Sequence, residues 1–384
     1  MAITKISPDV VDFDAGITIS TTDNSDNLTL TSTDADANAG PNLRLYRNSG
    51  SPADSDALGL IEFEGRNDNS QDVVYSTVDS RLVDASDGTE DGSLELTTIV
   101  AGSQVSRVFM GATETVINDN SVDVDFRVES NGNANMLFVD GGNDRVGIGT
   151  ASPSHMLVAK GAAGTSPAIE MINSDTEDGD TGRESTLRFS GFRSGGEAAI
   201  NAQITGSHSG TSDDDKGMII FYTNNGSGLT EKVRIHAEGH VTMPLQPAFL
   251  VKLDGDQNNI AVDGASNTTV EFDSEIFDVG SNFASNQFTA PVTGKYLLTY
   301  MLRVHALDDA STSFSVIMET SNRTAANYFD PAGYDSDPDY HTFTYSMVHD
   351  MDASDTAKVT VYQAGGSAQA DVSQYSYFSG QLIS

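Results

Sequence analysis

Apolar and polar residues alternate along most of this chain. In "FTAPVTGKYLLTY", Tyr296, Leu298 and Tyr300 fall on every second position after a Pro-Val-Thr-Gly turn. Val359 and Val361 alternate with Lys358 and Thr360, and Phe314 and Val316 with Ser315 and Ile317. A period of two places successive side chains on opposite faces of a strand. No stretch keeps apolar residues at i, i+3, i+4 and i+7 for three turns, so almost no helix is expected and the fold class is all-β.

The alternation is organised as a repeat. "PNLRLYRNSGSPADSDALGLIEFEGR" from Pro41 lies over "PAIEMINSDTEDGDTGRESTLRFSGFR" from Pro167. Leu43 and Leu45 match Ile169 and Met171, Phe63 and Gly65 match Phe189 and Gly191, and Val74 and Val78 match Ile200 and Ile204. "GSLELTT" from Gly92 and "RVFMGATETV" from Arg107 lie over "GMIIFYT" from Gly217 and "KVRIHAEGHV" from Lys232. The copies differ mainly in polar, turn-forming runs such as "NDNSQD" and "SHSGTSDDD", so each copy reads as several antiparallel strands. The expected organisation is an N-terminal segment (1–40), a first β module (41–118), a linker (119–166), a second module (167–246) and a C-terminal domain (247–384). The linker's Asn-Gly and Gly-Gly signals predict short hairpins or corners, too small to bury a core alone. Seven to ten strands are expected after Pro247, as in a β-sandwich or jelly roll.

Charge narrows the partners. The 56 acidic against 20 basic residues give a formal charge of −36. Phosphate recognition needs Lys and Arg clusters, so no nucleic acid partner is expected, and an anionic bilayer is disfavoured for the same reason. Cysteine is absent, which removes disulfides and thiolate metal sites. "MAITKISPDVVDFDAG" has no apolar run after its charges, so no signal peptide is expected; no run is long enough for a membrane span.

Candidate chemistry is sparse. Gly147–Ile148–Gly149 is followed by Thr-Ala-Ser-Pro rather than by a helix that would receive a phosphate, so it is not a dinucleotide fingerprint. Seven histidines are present, none in a helical zinc-ligand pattern, and His236 and His240 read as ordinary strand spacing. No nucleophile elbow occurs, and no catalytic residue is assigned. "LDGDQNN", with Asp254 and Asp256, has half of an oxygen-rich loop but no closing Glu. "FDPAGYDSDPDY" offers Asp330, Asp335, Asp337 and Asp339. Both read as solvated acidic loops, with calcium as the alternative, so no metal or other cofactor is assigned. The second loop is also the candidate recognition site. Tyr328, Phe329, Tyr334 and Tyr340 stand there among Asp335, Asp337 and Asp339. Such aromatics stack on sugar faces while carboxylates accept hydroxyl hydrogen bonds, or they pack onto the domain beneath.

Two resemblances follow from quoted motifs. "FRVESNGN", "LFVD", "NDRVGIGT" and the closing Ser152–Pro153 resemble a segment of fibre and other virion structural proteins of tailed bacterial viruses, and the repeated modules ending in "EKVRIHAEGHVTM" look similar in kind. From Pro247, three motifs in order resemble the C1q-like domain, a relative of the tumour-necrosis-factor jelly roll. They are "VEFDSEIFD" (Phe272, Phe277), "FTAPVTGKYLLTY" (Phe288, Pro291, Gly294, Tyr296, Leu298, Tyr300) and "YFSGQLIS" (Phe378, Gly380). Leu298 departs from the resemblance, standing where an aromatic is usual. The resemblance implies that these residues form the head core or trimer contacts. It also implies a homotrimeric fibre of short β modules ending in a jelly-roll head. Its N-terminus would dock on other virion proteins of tail or capsid, and its head would bind a host surface glycan or protein. The protein would be made in the host cytoplasm and reside in the virion as a tail fibre. A capsid-attached fibre or decoration protein, a bacterial surface or appendage protein, and a glycan-degrading tailspike remain as alternatives.

Overall fold

The computed structural model describes residues 16–38, 40–260, 267–367 and 369–384. Residues 1–15 of the expected docking segment lie outside these. Among the described residues there are β-strands and one 3-10 turn, Pro331–Gly333, but no α-helix, and no helix is long and apolar enough to cross a membrane. The chain divides into two units between Ile169 and Glu170.

In the first unit, β1 (Ala57–Arg66), β2 (Asp72–Asp84), β3 (Asp91–Val100), β4 (Ser103–Met110) and β5 (Thr115–Ile117) form an antiparallel meander in chain order. A second sheet holds β6 (Phe126–Ser130), β7 (Asn133–Asp140), β8 (Arg145–Ile148) and β9 (Leu157–Ala159). Its last pair, β8 with β9, is parallel, where the sequence predicted hairpins or corners. Glycine makes that close return possible: a Cβ on Gly147 would lie 2.2 Å from the Thr150 carbonyl oxygen, and one on Gly149, at φ +75°, 2.2 Å from that of Lys160.

The second unit begins with another five-stranded meander: β10 (Ser185–Phe192), β11 (Ala198–His208), β12 (Gly217–Asn224), β13 (Leu229–Ile235) and β14 (Val241–Thr242). Two of its irregularities repeat those of the first meander. The ladder shifts after Phe63 in β1 and after Phe189 in β10, then after Leu96 in β3 and after Phe221 in β12. Bulges re-aim the strands they interrupt, so equivalent bulges give both sheets the same division of faces. One face carries the row Ile61–Val78–Leu96–Val108–Ile117 in the first meander and Leu187–Ile204–Phe221–Val233 in the second. The neighbouring row of the first meander, Leu60–Asp79–Glu95–Phe109–Val116, points the other way and carries acids.

The C-terminal head consists of β15 (Ala248–Lys252), β16 (Thr268–Thr269), β17 (Ser274–Asp278), β18 (Phe283–Ala284), β19 (Gln287–Thr289), β20 (Gly294–His305), β21 (Ser311–Thr320), β22 (Thr324–Phe329), β23 (Tyr340–Met351), β24 (Thr356–Gly365), β25 (Asp371–Val372) and β26 (Tyr377–Leu382). One sheet runs β17-β15-β26-β20-β23, with β25 on β20; the other runs β18-β19-β24-β21-β22, with β16 on β24. Four of these twelve strands are only two or three residues long, which raises the number above the seven to ten expected. The core lies between the two sheets. Along β20 every second residue, Tyr296, Leu298, Tyr300, Leu302 and Val304, is buried. Phe272, Phe288 and Phe378 join them. Phe249 stacks on Phe288 at 4.7 Å and meets Phe378 edge-on at 4.9 Å. The buried tyrosine hydroxyls are paired: Tyr296 donates to the Val292 carbonyl at 2.7 Å, and Tyr300 to the Val316 carbonyl at 3.2 Å. Asn327 Nδ2 donates to the Tyr300 oxygen at 3.2 Å, so this hydroxyl joins both sheets. Burial pushes the Tyr300 phenol far above its usual range, with the neighbouring Tyr345 adding to the effect.

Three motif residues occupy places other than the core. Phe277 is 47% exposed, because it pairs with Leu250 on the outward face of its sheet. Pro291 is exposed in the turn before β20, and Gly294 is half-buried. Gly294 is needed for close approach, since a Cβ there would lie 2.6 Å from Leu382 Cδ1 and 2.7 Å from the Ser384 oxygen. Its φ is not among the positive ones, so the turn does not depend on left-handed backbone at this residue. Gly380 acts similarly inside the core: a Cβ would meet Phe249 at 2.5 Å and Leu298 at 2.8 Å. Gly380→Ala is therefore expected to destabilise the head by about 1–3 kcal/mol through overpacking. Leu298→Ala should cost roughly 2–5 kcal/mol through the cavity it leaves. Denaturant unfolding of each variant followed by tyrosine fluorescence measures both.

Candidate functional site

The outward positions of β20 are the complement of its core positions. Arg303 and His305 have this parity and emerge at the end of the strand where Tyr340 begins β23. The Arg303 guanidinium sits over the Tyr340 ring, 4.3 Å from its centre, and 5.7 Å from the ring centre of Tyr375. Tyr340 and Tyr375 are 62% and 58% exposed. The His305 ring lies 5.8 Å from that of Tyr340, and its Nε2 is 3.8 Å from Asp256 Oδ2. A cation between two exposed rings, bordered by a carboxylate, offers flat apolar faces and charged hydrogen-bonding groups together.

The structure divides the sequence-predicted recognition residues among three environments. Tyr328 is 76% exposed on β22. Phe329 turns the other way: it is half-buried, 4.1 Å from the His341 ring and 5.6 Å from that of Tyr334, and it packs against the core. Of the two expectations for this residue, recognition or packing onto the domain beneath, its surroundings match packing, and strand alternation sends neighbouring Tyr328 and Phe329 to opposite faces. Tyr340 belongs to the Arg303 cluster. Burial pushes the His341 imidazole below the usual histidine range.

Of the acidic residues, Asp335 and Asp339 are exposed. Asp337 Oδ1 accepts from the Asp309 backbone N–H at 2.8 Å. Asp308, Asp309 and Asp337 bring carboxylate oxygens within 4.8 Å of one another. Desolvation first, and then the Asp337 charge, hold the Asp309 carboxyl above its ordinary range. The buried Asp308 carboxylate accepts backbone N–H bonds from Ala310 at 2.8 Å and from Ser367, so it builds the loop. The other acids singled out for calcium do not join this group. Asp256 accepts from the Gln374 N–H at 2.7 Å, Asp330 from that of Ala332 at 3.1 Å, and the Asp254 N–H donates to Asp273 at 2.8 Å. His236 and His240 also differ from simple strand spacing: they flank a tight turn, with ring centres 4.2 Å apart.

Sequence reasoning missed Arg303, His305, Asp308, Asp309 and Tyr375. The signal for Arg303 and His305 was present, because they occupy the outward parity of the motif strand. Tyr375 carried none, since it reaches Arg303 only through the fold.

Comparison with known proteins places the head. Residues 248–383 match the C1q domain family. This segment is a C1q domain. No curated protein matches the chain. Among solved structures, the chain is similar to the globular domain of zebrafish complement 1qA protein, at 16% identity over 36% of this chain and 98% of that one, with a TM-score of 0.27. It is also similar to murine APRIL (15% identity, 36% and 99% coverage, TM-score 0.26) and to the PRD1 vertex protein P5 (12%, 36% and 99%, 0.26).

One half-buried and one buried imidazole, His341 and His349, give the C1q domain a defined acid response. Burial lowers His341; burial and then the Arg323 charge lower His349, whose Nε2 is 2.7 Å from the Tyr345 hydroxyl. Unfolding frees both to take up protons, so their stabilising contribution is complete above about pH 6.5 and is lost as pH falls through the lowered folded values. Unfolding midpoints measured from pH 8 to pH 5 should fall over this range, and His349→Gln should flatten the slope while lowering the plateau.

Proposed function

We propose that this chain is a structural fibre protein of a tailed bacterial virus. In this reading it is a homotrimer, held to other virion proteins of tail or capsid through its N-terminal segment. It is made in the host cytoplasm and attaches the virion to the host surface through its C1q domain. The observation that carries the reading is the C1q domain at residues 248–383, carried on a chain whose linker and modules resemble those of virion fibres. C1q-like domains are generally non-enzymatic binding domains and are often trimeric. The viral assignment rests on the linker and module motifs.

The outward face of the β20 sheet supports self-association. Leu297 pairs with Val348, Thr299 with Ser346 and Ser379, and Leu250 with Phe277 and Ser379, giving an apolar surface with small residues among its larger ones. Receptor contact is assigned to the opposite chemistry, the exposed Tyr340 and Tyr375 around the half-buried Arg303, with Tyr328 and the acidic residues Asp335, Asp337 and Asp339 near Tyr340 in sequence. Aromatic faces and carboxylates of this kind suit a glycan or a polar protein surface, and a trimer multiplies weak contacts into firm adhesion.

Native mass measurement should give a trimer for the intact chain, and Leu297→Asp should reduce its stability; a persistent monomer would overturn the trimer. Labelled protein should bind host cells. Tyr340→Ala should weaken that binding by about tenfold, the loss of roughly 1.4 kcal/mol. Binding unchanged by Tyr340→Ala and Tyr328→Ala would sink the assigned site. Release of oligosaccharide from host envelope glycan would replace adhesion with the tailspike alternative.

A further inference from the structure

The apolar faces of both meanders are covered only in part within the chain, by the segments that precede them. In β1, Ile61 and Phe63 are 40% and 56% exposed; in β10, the equivalent Leu187 and Phe189 are each 49% exposed. The cross-strand rows that contain Ile61 and Leu187 hold no charged residue. Ion pairs lie on the reverse faces, as with Arg81 and Asp79, and Arg234 and Glu231. In a chain of charge −36, these are surfaces where like-charged copies can approach without placing acid against acid. Exposed contiguous apolar surface of this kind marks an interface.

The duplication identifies the partner. The same face appears twice, with two bulges in common and with apolar positions retained while the acidic loops diverge. A partner that covers one face must offer a similar complement again at the other. An in-register copy of this chain does so by construction, and closed rotational symmetry brings equivalent faces towards one axis. The strand-patterned segments ahead of each meander are placed alike. Leu45 lies 3.1 Å from where a Cβ on Gly59 would be, and the Ser185 hydroxyl donates to the Met171 carbonyl at 2.9 Å. Among the described residues neither Leu43–Tyr46 nor Ile169–Ile172 belongs to a strand.

We infer that the apolar faces of the two meanders are interchain interfaces, each covered by the same meander of other copies of this chain. The inference rests on the proposed self-association and adds to it: the copies associate along the modules as well as at the C1q domain.

The absence of cysteine makes the test direct. Single variants Phe63→Cys and Phe189→Cys are prepared in the full chain and treated with a thiol crosslinker of about 10 Å reach, the spacing of facing sheets. Glu62→Cys and Arg188→Cys place the thiol on the reverse faces. Covalent dimers are expected from the first pair, with at most about a tenth of that yield from the second, the factor corresponding to 1.4 kcal/mol in population. Val108→Cys, a smaller change on the same face in the row of Ile61, gives the same reading if Phe63→Cys folds poorly. Absent or equal crosslinking on the two faces, with an oligomeric native mass, overturns the inference and leaves association through the C1q domain intact. A monomeric native mass defeats self-association itself, and this inference with it. Crosslinking within one chain in a Phe63→Cys/Phe189→Cys variant, without crosslinking of either single variant, shows that the modules cover each other and also overturns it.

Discussion

The C1q domain depends on one strand burying every second side chain between two sheets. From Tyr296 to Val304, five consecutive inward positions of β20 are buried, and removing that apolar surface from water supplies the main driving force. Tyr300 adds a polar tie within the same row. Its hydroxyl meets Val316 and Asn327 of the opposite sheet, so the sheets are held in register as well as pressed together. Leaving those partners buried and unpaired would cost more than the bond returns when made.

Burial on one face leaves the other face to function. The inward tyrosines and leucines make the strand rigid, and this rigidity fixes where Arg303 and His305 emerge. The Tyr340 ring then lies against Arg303, with Tyr375 on a neighbouring loop. A surface cluster built this way owes its geometry to side chains buried on the other side of the strand. Glycine contributes through space: Gly380 admits Phe249 and Leu298 into contact with the closing strand, and Gly294 admits the C-terminal residues beside β20.

The meanders reverse this arrangement. They have the alternation of half-buried sheets, but within each chain the apolar half is covered only in part. A single twisted sheet gains little from folding alone unless its apolar face is removed from water. Two shared bulges keep this face in the same form in both copies, so the inferred interchain contacts would stabilise both modules alike.

Alternation in the sequence determined the all-β class, the repeat and the core face of the motif strand, because a period of two leaves only one way to sort side chains between two faces. Tyr296, Leu298 and Tyr300 were legible on that ground. Tertiary structure decided everything that depends on which residues meet across long separations. It placed Phe277 outside and Phe329 half inside, turned Gly294 from a supposed turn residue into one of close approach, and drew Asp308 and Asp309 to Asp337. It also joined Arg303 to Tyr375. Parity along a strand is a local property that one segment records by itself, whereas the partner met on a given face is set by the sheet order and loops of the whole domain.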